Sequence, residues 1–352
     1  MRPELTVRTL PESEYPVWND LVAKAPEGSI YSTPEYLAAL CEATGGRFRV
    51  LVAQRHDEIV GGVALYEERR RGGTVVSPRL LLYYNGPVLR PYATKYPSQR
   101  TSRHVETLAA LAGALDAGPY ARVRLKPRAA LADVRAFQQR GWRVALSYSY
   151  VVPLHDLAAQ RERVEQNLRR LIDRCSRQGI CFTDDDDFDS FFAMHLQLHE
   201  RKGAPLYLPK PAFERWFRRL HAAGLARLFQ ARLPEGRSIA AQITLLGGHP
   251  VTHTAAAAAD GEFLNLGASA FLRWRAFERL AELGYRGNDL TDAALNPVTH
   301  FKSQFGGELQ LALEVQRPES TTLRTAEAVE RHWRRARRLA GRAARTLLRR
   351  PR

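Results

Sequence analysis

A lysine and an aspartate near the end of the chain are of residue types, and at a spacing, that are suited to catalysis. Lys302 follows Phe301 in a segment that stops at paired glycines, and Asp289 lies shortly before it. A single lysine in this setting is a candidate electrophilic catalyst, and a nearby carboxylate can orient it. We therefore predict that Lys302 and Asp289 are catalytic. The alternative is a surface lysine that forms an ion pair with Asp289 or Glu308.

These two residues need elements that position them, and the pattern of residues 213–315 predicts such elements. Apolar periodicity and turn residues indicate a helix, three strands, a helix, a strand, a helix and a strand. The predicted bounds are 213–221, 226–232, 238–246, 251–257, 269–283, 286–290, 297–305 and 308–315. Asp289 is thus expected on a short strand and Lys302 on the helix that follows it.

The first half of the chain repeats this order of elements. A helix opening at Pro34 is followed by predicted elements at 48–54, 59–66, 80–84, 102–115, 123–125, 129–139 and 142–146. In the first copy, Arg124 and Gln138 stand where the second copy has Asp289 and Lys302. Only the second copy has the predicted catalytic pair. The pattern predicts a mixed α/β fold with two tandem units, residues 1–150 and 151–318.

Composition restricts the class of protein before any motif is considered. The chain has 352 residues, 45% of them hydrophobic, and three cysteines. Three scattered cysteines do not make a disulfide framework, and the first residues lack the apolar core of a signal peptide. No segment approaches the roughly 20 apolar residues that a membrane-spanning helix needs. We expect a reduced, cytoplasmic protein.

The net charge of +16 is concentrated at the C-terminus. Ten arginines and no acidic residue lie within residues 331–352, and Trp333, Ala340 and Leu347 share one helical face. This pattern predicts a basic amphipathic helix within residues 319–352. Such helices bind anionic membrane surfaces or a phosphate backbone. The alternative is a solvated, partly disordered tail.

The element order and several short motifs resemble a known family. The motifs are Ile-Tyr-Ser-Thr-Pro-Glu-Tyr at 30–36, Ile-Ala-Ala-Gln at 239–242, Gly-Ala at 267–268 before Leu-x-Trp, and Phe-Lys-x-x-Phe-Gly-Gly at 301–307. Together they resemble tandem GNAT-fold acyltransferases, in particular the FemA/FemB/FemX-type aminoacyltransferases. The resemblance covers nearly the whole chain up to about residue 316.

This resemblance implies transfer of an aminoacyl group from a charged tRNA to an amine of a peptidoglycan precursor. It implies that Lys302 stabilises the developing negative charge and that Phe301 is its packing partner. Lys210 lies near the place where such enzymes have a cationic phosphate contact. The sequence departs from the family pattern after Asp289, where Leu-Thr-Asp-Ala replaces a glycine-bearing turn, and in the alanine-rich strand at 252–256. A different acceptor pocket is therefore expected.

Three further residues are predicted to bind substrate. Gln242 is expected to hydrogen-bond in the cleft, and His253, on a central strand, could act as a general base near neutral pH. The alternative for His253 is a buried, hydrogen-bonded histidine. Gly267 begins a helix and permits a phosphate there, although close packing between helices explains the glycine equally well.

The sequence leaves the identity of the acyl donor open, and it does not favour a metal site. Acyl-CoA is an alternative donor, although the helix junction at Gly267 keeps only one glycine of a phosphate-binding loop and lacks its basic first residue. Cys175 and Cys181, with His195 and His199, do not have the spacing of a zinc site. We expect no metal and no permanently bound cofactor.

The sequence therefore predicts an N-acyltransferase or aminoacyltransferase that acts on an amine of a cell-envelope precursor, either peptidoglycan or polysaccharide. Its expected location is the cytoplasm, with a peripheral position at the inner membrane face through residues 331–352. The alternative is a catalytically silent tandem protein that binds a lipid-linked glycan or an anionic membrane within an envelope-synthesis complex.

Overall fold

The computed structural model describes residues 5–329, which form a single large mixed sheet with helices on both faces. The strands are β1 (Leu5–Thr9), β2 (Arg47–Arg55), β3 (Glu58–Arg70), β4 (Gly73–Val76), β5 (Val88–Leu89), β6 (Tyr120–Leu125), β7 (Arg143–Pro153), β8 (Cys181–Asp185), β9 (Ala226–Arg232), β10 (Ser238–Leu245), β11 (Val251–Ala259), β12 (Gly287–Asp289) and β13 (Glu308–Gln316). The predicted basic helix lies, from residue 330 onward, outside the described residues.

The helices cover both faces of the sheet. They are α1 (Tyr15–Lys24), α2 (Pro34–Thr44), α3 (Pro97–Ala117), α4 (Arg135–Gln138), α5 (Leu157–Arg163), α6 (Gln166–Arg177), α7 (Phe188–Lys202), α8 (Lys210–Ala222), α9 (Ala268–Glu282) and α10 (Pro297–Ser303). Local chemistry explains their ends. Pro34 begins α2 and Gly45, in the left-handed region, ends it. The Asp187 side chain accepts a hydrogen bond from the Ser190 amide at the start of α7.

The two halves of the sheet have the same pattern of pairing. In each half, successive strands pair antiparallel until a single parallel step, which is β4 with β6 in the first half and β11 with β12 in the second. The second parallel step is short, since only residues 251–253 of β11 pair with β12. His253 and Asp289 form its last rung, and β11 continues without this neighbour.

The last strand of each half is exchanged with the other half. β7 follows the first half in sequence but pairs with β12, and β13 ends the second half but pairs with β6. β7 and β13 pair with each other over nine residues, from Glu308 opposite Val151 to Gln316 opposite Arg143. The exchange makes one continuous sheet, and it places the predicted boundary at residue 150 inside β7.

The predicted elements of the second half agree closely with the structure, whereas two in the first half do not. Residues 80–84, predicted as a strand, lie in a loop with a single bridge between Arg79 and Leu82. Their place in the sheet is taken by β4, which the prediction lacked. The helix predicted at 129–139 is only the short α4, because the preceding residues form turns. In turn-rich segments with scattered apolar residues, neither the helical nor the strand periodicity is clear, so such segments are predicted poorly.

The largest core joins the two halves. Tyr31 and Tyr36 from the first half pack with Trp216 and Phe213 of α8, and all four side chains are buried. The Tyr36 and Trp216 rings meet edge to face at 6.2 Å. Such contacts fix the position of the first half relative to the strands that carry Asp289 and His253. No helix within residues 5–329 is long and apolar enough to cross a membrane.

Candidate active site

The helix that carries Lys302 is short and is fixed at both ends. At its start the Asn296 side chain accepts a hydrogen bond from the Thr299 amide at 3.0 Å, and Pro297 occupies the first turn. On its inner face the Phe301 ring meets the Phe305 ring edge to face at 5.2 Å between centroids. Both rings pack on the apolar core that includes Phe277 of α9. Phe301 thus anchors the helix through Phe305, and its role as the packing partner of Lys302 stays a prediction.

The Lys302 ammonium hydrogen-bonds to backbone oxygens of the loop after β12. Nζ donates to the Thr291 carbonyl and, at 2.7 Å, to the Asp292 carbonyl. These two bonds use two of the three donors of an ammonium group. Lys302 is therefore neither a free surface lysine nor the partner of Glu308, whose nearest described cation is Arg163 at 3.7 Å.

The loop that holds Lys302 has an unusual backbone conformation. Thr291 and Asp292 both have positive φ, 49° and 52°, which side chains with a Cβ rarely adopt. The Asp289 carboxylate accepts the Thr291 amide at 2.8 Å, and the Thr291 hydroxyl donates to the Thr254 carbonyl at 2.8 Å. These bonds hold the two carbonyls in the direction of Lys302. Asp289 thus acts on Lys302 through the loop.

Asp289 also accepts hydrogen bonds from residues of the first half of the chain. Its Oδ2 accepts the Tyr84 hydroxyl at 2.8 Å, and its Oδ1 accepts the Ser149 hydroxyl. His253 Nδ1 lies 3.5 Å from Oδ2. Asp289 is 1% exposed and Ser149 is 5% exposed. A carboxylate buried so completely is stable only with such a set of partners.

The charge states of this pair follow from their surroundings. Burial alone would raise the pKa of Asp289, but the contact with His253 and the bond from Ser149 outweigh it, and the pKa is lowered. Burial lowers the pKa of His253 more than Asp289 raises it. The site therefore contains an ionised Asp289 beside a neutral His253. The His253 ring lies against Tyr31 at 4.9 Å and Tyr84 at 5.7 Å, between ring centroids.

The Lys302 ammonium titrates closer to neutral pH than an ordinary lysine. Burial and the nearby Arg273 guanidinium lower its pKa to about 8, although Asp292 and Asp289 oppose this effect. Lys302 is therefore mostly protonated at pH 7. A cation that is partly desolvated interacts with a developing negative charge more strongly than one in water.

The other predicted residues lie in different surroundings. Gln242 is 1% exposed and donates to Thr244 at 3.0 Å. Gly267 has φ of 93°, and a Cβ there would lie 2.7 Å from Leu171 Cβ, so packing of α9 on α6 requires glycine. Lys210 forms an exposed ion pair with Asp189 at 2.6 Å. These contacts do not connect the three residues to Lys302, and a binding function for each stays a prediction.

Four residues that the sequence reasoning missed belong to this cluster, namely Tyr84, Ser149, Thr291 and Arg273. Tyr84 lies in a loop of the first half, and the packing of the two halves brings it to Asp289. Ser149 lies on β7, and the strand exchange brings it there. Arg273 gave a detectable signal, since it interrupts an apolar run on the buried face of α9. Within residues 5–329, no group of three or more metal-binding side chains is assembled.

The turn after α10 leads to a testable prediction about stability. Gly306 has φ of 70°, and a Cβ there would lie 2.6 Å from both Cβ and the carbonyl oxygen of Arg163. Gly306→Ala should lower the free energy of unfolding by about 2–4 kcal/mol, from backbone strain and overpacking. Gly284→Ala is the matched control, because Gly284 has φ of 88° and open space around it.

Urea unfolding of both variants separates strain from steric clash. The control should lose only about 1–2 kcal/mol, which is the cost of a left-handed backbone with a side chain. Equal losses in the two variants would mean that Arg163 does not confine the end of α10.

Comparisons with known proteins agree with this architecture. Residues 159–303 match the family model described as an acetyltransferase (GNAT) domain, a segment that contains Asp289, Arg273 and Lys302. No curated protein sequence matches the chain.

Three solved structures resemble the whole fold. FemX has a TM-score of 0.69 at 13% identity and covers 87% of this chain and 96% of its own. L-PGS from Bacillus licheniformis has a TM-score of 0.55 at 14% identity, with coverage of 85% and 96%. A tandem GNAT protein from the clavulanic acid biosynthesis pathway has a TM-score of 0.51 at 11% identity, with coverage of 90% and 100%. At such identities the likeness concerns the fold, and it confirms the predicted mixed α/β tandem architecture.

Proposed function

From the premise that this chain has a Fem-like tandem GNAT fold, we propose that it is an N-acyltransferase or aminoacyltransferase. Its donor is an aminoacyl-tRNA or an acyl-CoA, and its acceptor is an amine of a cell-envelope precursor. GNAT acyltransferase chemistry in general is supported by the family match, whereas donor and acceptor are our inference. The observation that carries the proposal is the fixed, partly buried Lys302 ammonium.

In the proposed reaction, Lys302 stabilises the negative charge that develops on the carbonyl oxygen. The acceptor amine attacks the carbonyl carbon of the ester or thioester, a C–N bond forms, and the carbonyl oxygen becomes an oxyanion. Lys302 has one ammonium donor beyond those bound by Thr291 and Asp292, and this donor stabilises the oxyanion. Collapse of the intermediate breaks the C–O or C–S bond, and the proton lost by the amine neutralises the leaving group.

Asp289 and His253 are positioning residues in this proposal. Asp289 is buried and its oxygens are bound by Tyr84, Ser149 and the Thr291 amide, so it orients the loop that orients Lys302. The fully buried His253 supports the Asp289 carboxylate from the adjacent strand. Neither residue needs to contact substrate to influence the rate.

The experiment that tests the proposal identifies the donor. The protein is incubated with a charged tRNA pool and, separately, with acyl-CoAs, and its thermal unfolding is measured. A ligand at 100 times its Kd stabilises the folded state by about 2.7 kcal/mol, which raises Tm by several degrees. Uncharged tRNA and free CoA are the matched controls, because basic proteins bind phosphate backbones without regard to the acyl group.

The outcomes distinguish this proposal from its alternative. Greater protection by an acylated donor than by its deacylated form, followed by acyl transfer to an amine, supports an acyltransferase. Protection by neither donor, together with vesicle binding that vanishes on deleting residues 331–352, supports a catalytically silent protein at an anionic membrane. The arrangement of arginines in that segment is what suggests the membrane surface.

A further inference from the structure

A second buried cation lies on α9, the helix that packs against the turn after α10, where the Phe277 and Phe305 rings meet edge to face at 5.6 Å. Arg273, on α9, is 7% exposed, and its Nη1 has no hydrogen-bond partner among residues 5–329. No described carboxylate forms an ion pair with it. Arg275, two residues further along the same helix, shows the ordinary arrangement, since it is about half exposed and pairs with Glu278 at 2.6 Å.

An unpaired guanidinium in this position is costly. Removing a charge from water costs several kcal/mol unless a counter-charge and hydrogen bonds compensate for it. Burial lowers the pKa of Arg273 to about 10, and Arg273 in turn lowers the pKa of Lys302. The two cations therefore oppose each other, and the structure would be more stable with fewer charges here.

The nearby acids, Asp289 and Asp292, offset the charge of this pair only in part. The oxygens of Asp289 are bound by Tyr84, Ser149 and the Thr291 amide, and the side chain of Asp292 is exposed. Lys126, which is 9% exposed and lies with its ammonium 5.8 Å from the Tyr84 ring, adds a further positive charge that acts on Lys302. With Lys302 itself, three cations face two carboxylates here, which leaves one positive charge in excess.

We propose that Arg273 and Lys302 together bind a phosphate group of the substrate. A guanidinium has planar donors that match phosphate oxygens, and two cations match the charge of one phosphate better than that of a carboxylate. This inference rests on the proposed function, since both proposed donors and many envelope precursors carry phosphates. It adds a subsite in which Arg273 donates hydrogen bonds to the anion, while Lys302, whose one remaining donor faces the oxyanion, attracts the anion through its charge.

Sulfate is the probe, because it is tetrahedral and does not titrate in the range of interest. Binding is measured by calorimetry at constant ionic strength with chloride, for the full-length protein and for Arg273→Met. Loss of a charge-assisted hydrogen-bond pair should weaken sulfate at least about tenfold. Arg275→Met is the matched control and should bind sulfate as the unmodified protein does, which accounts for weak, general ion effects.

The stability of Arg273→Met without ligand gives an independent result. If Arg273 is kept for an anion, removing its unpaired charge should leave Tm unchanged or raise it. A lower Tm combined with retained sulfate binding would overturn the proposal, because Arg273 would then be structural. Neither measurement requires turnover, so this subsite can fail while the transferase proposal stands, and the reverse.

A pH profile tests the subsite even if Arg273→Met does not fold. The charged groups around the Lys302 ammonium are Arg273 on α9, Lys126 after β6, Asp289 on β12 and Asp292 in the loop. Sulfate affinity should fall as pH rises through about 8, where Lys302 loses its proton, and Lys302→Met should show a flat profile. Identical profiles for the two proteins would overturn the proposal.

Two nucleotide probes distinguish the source of the phosphate. AMP carries the phosphate of a terminal nucleoside of tRNA, and CoA carries a diphosphate. Arg273→Met should weaken AMP about tenfold if the donor is aminoacyl-tRNA, and CoA by a similar factor if the donor is acyl-CoA. Unchanged binding of both nucleotides with retained sulfate binding would exclude Arg273 as a phosphate ligand.

Discussion

Replacing Lys302 with methionine should lower kcat/KM by about 10²–10³-fold, which is the usual effect of removing one oxyanion donor. Methionine has a similar length and retains the apolar stem that lies along α10, so Tm should change by only a few degrees. Activity is measured with the donor that protects the protein from thermal unfolding. Lys24→Met, at an exposed lysine that pairs with Asp20, is the control and should be fully active.

The pH dependence makes this result specific to the ammonium group. Since the pKa of Lys302 is lowered to about 8, the protonated and active form is lost as pH rises above that value. kcat/KM should therefore fall on the alkaline side with a midpoint near 8, provided that the acceptor amine is already neutral. In Lys302→Arg the charge persists to much higher pH. Unchanged turnover in Lys302→Met would exclude Lys302 from catalysis.

Replacing Asp289 with asparagine should be the most destabilising single change at the site. The carboxylate accepts hydrogen bonds from Tyr84, Ser149 and the Thr291 amide, and an asparagine places an amide donor where one of these groups also donates. Hydrogen bonds to charged groups are worth about 1.5–3 kcal/mol each. We expect a loss of roughly 3–5 kcal/mol in the free energy of unfolding at pH 7, because several hydrogen bonds to the buried carboxylate are weakened together.

The loss should depend on pH with a defined sign. The pKa of Asp289 is lower in the folded protein than the unfolded value near 4, so its stabilising effect is complete above that pH. The effect decreases as pH falls further, and the unmodified and variant proteins should approach equal stability in acid. Asp186→Asn, at an exposed ion pair with Arg218, is the control and should change stability by less than about 1 kcal/mol.

Activity measurements on Asp289→Asn test the positioning argument. If Asp289 acts through Thr291, its loss should lower kcat more than it changes donor KM, because the Lys302 ammonium is no longer directed by the loop. The midpoint of the alkaline limb should also move, since Asp289 favours the protonated form of Lys302. A fully active, destabilised variant would show that Asp289 serves only the fold.

The sequence predicted those parts of the site that follow local rules. Strands β9 to β11 and helix α9 have regular apolar patterns and clear turns, and Asp289 and Lys302 were located on the correct elements. The end of the segment at the paired glycines, where Gly306 has positive φ, is also local, whereas the Asn296 cap was not predicted. Short-range patterns fix such features before any tertiary contact forms.

The rest depended on contacts between distant parts of the chain. Tyr84 meets Asp289 from a loop more than 200 residues away, and no periodicity reports such a contact. The partners of Lys302 are backbone carbonyls, which any residue types at 291 and 292 would supply. The pairing of β7 with β13 could not be predicted either, because the residue pattern of each strand does not specify which strand it pairs with.

The exchange of β7 and β13 has a consequence for how the protein matures. Synthesis proceeds from the N-terminus, so the first half emerges with β6 lacking its neighbour until β13 leaves the ribosome. The loop that holds Lys302 emerges just before that last strand. A nascent or truncated chain that ends before residue 308 therefore leaves the edges of β6 and β7 unpaired. The sheet that supports the loop holding Lys302 is therefore complete only when residues 308–316 have paired with β6 and β7.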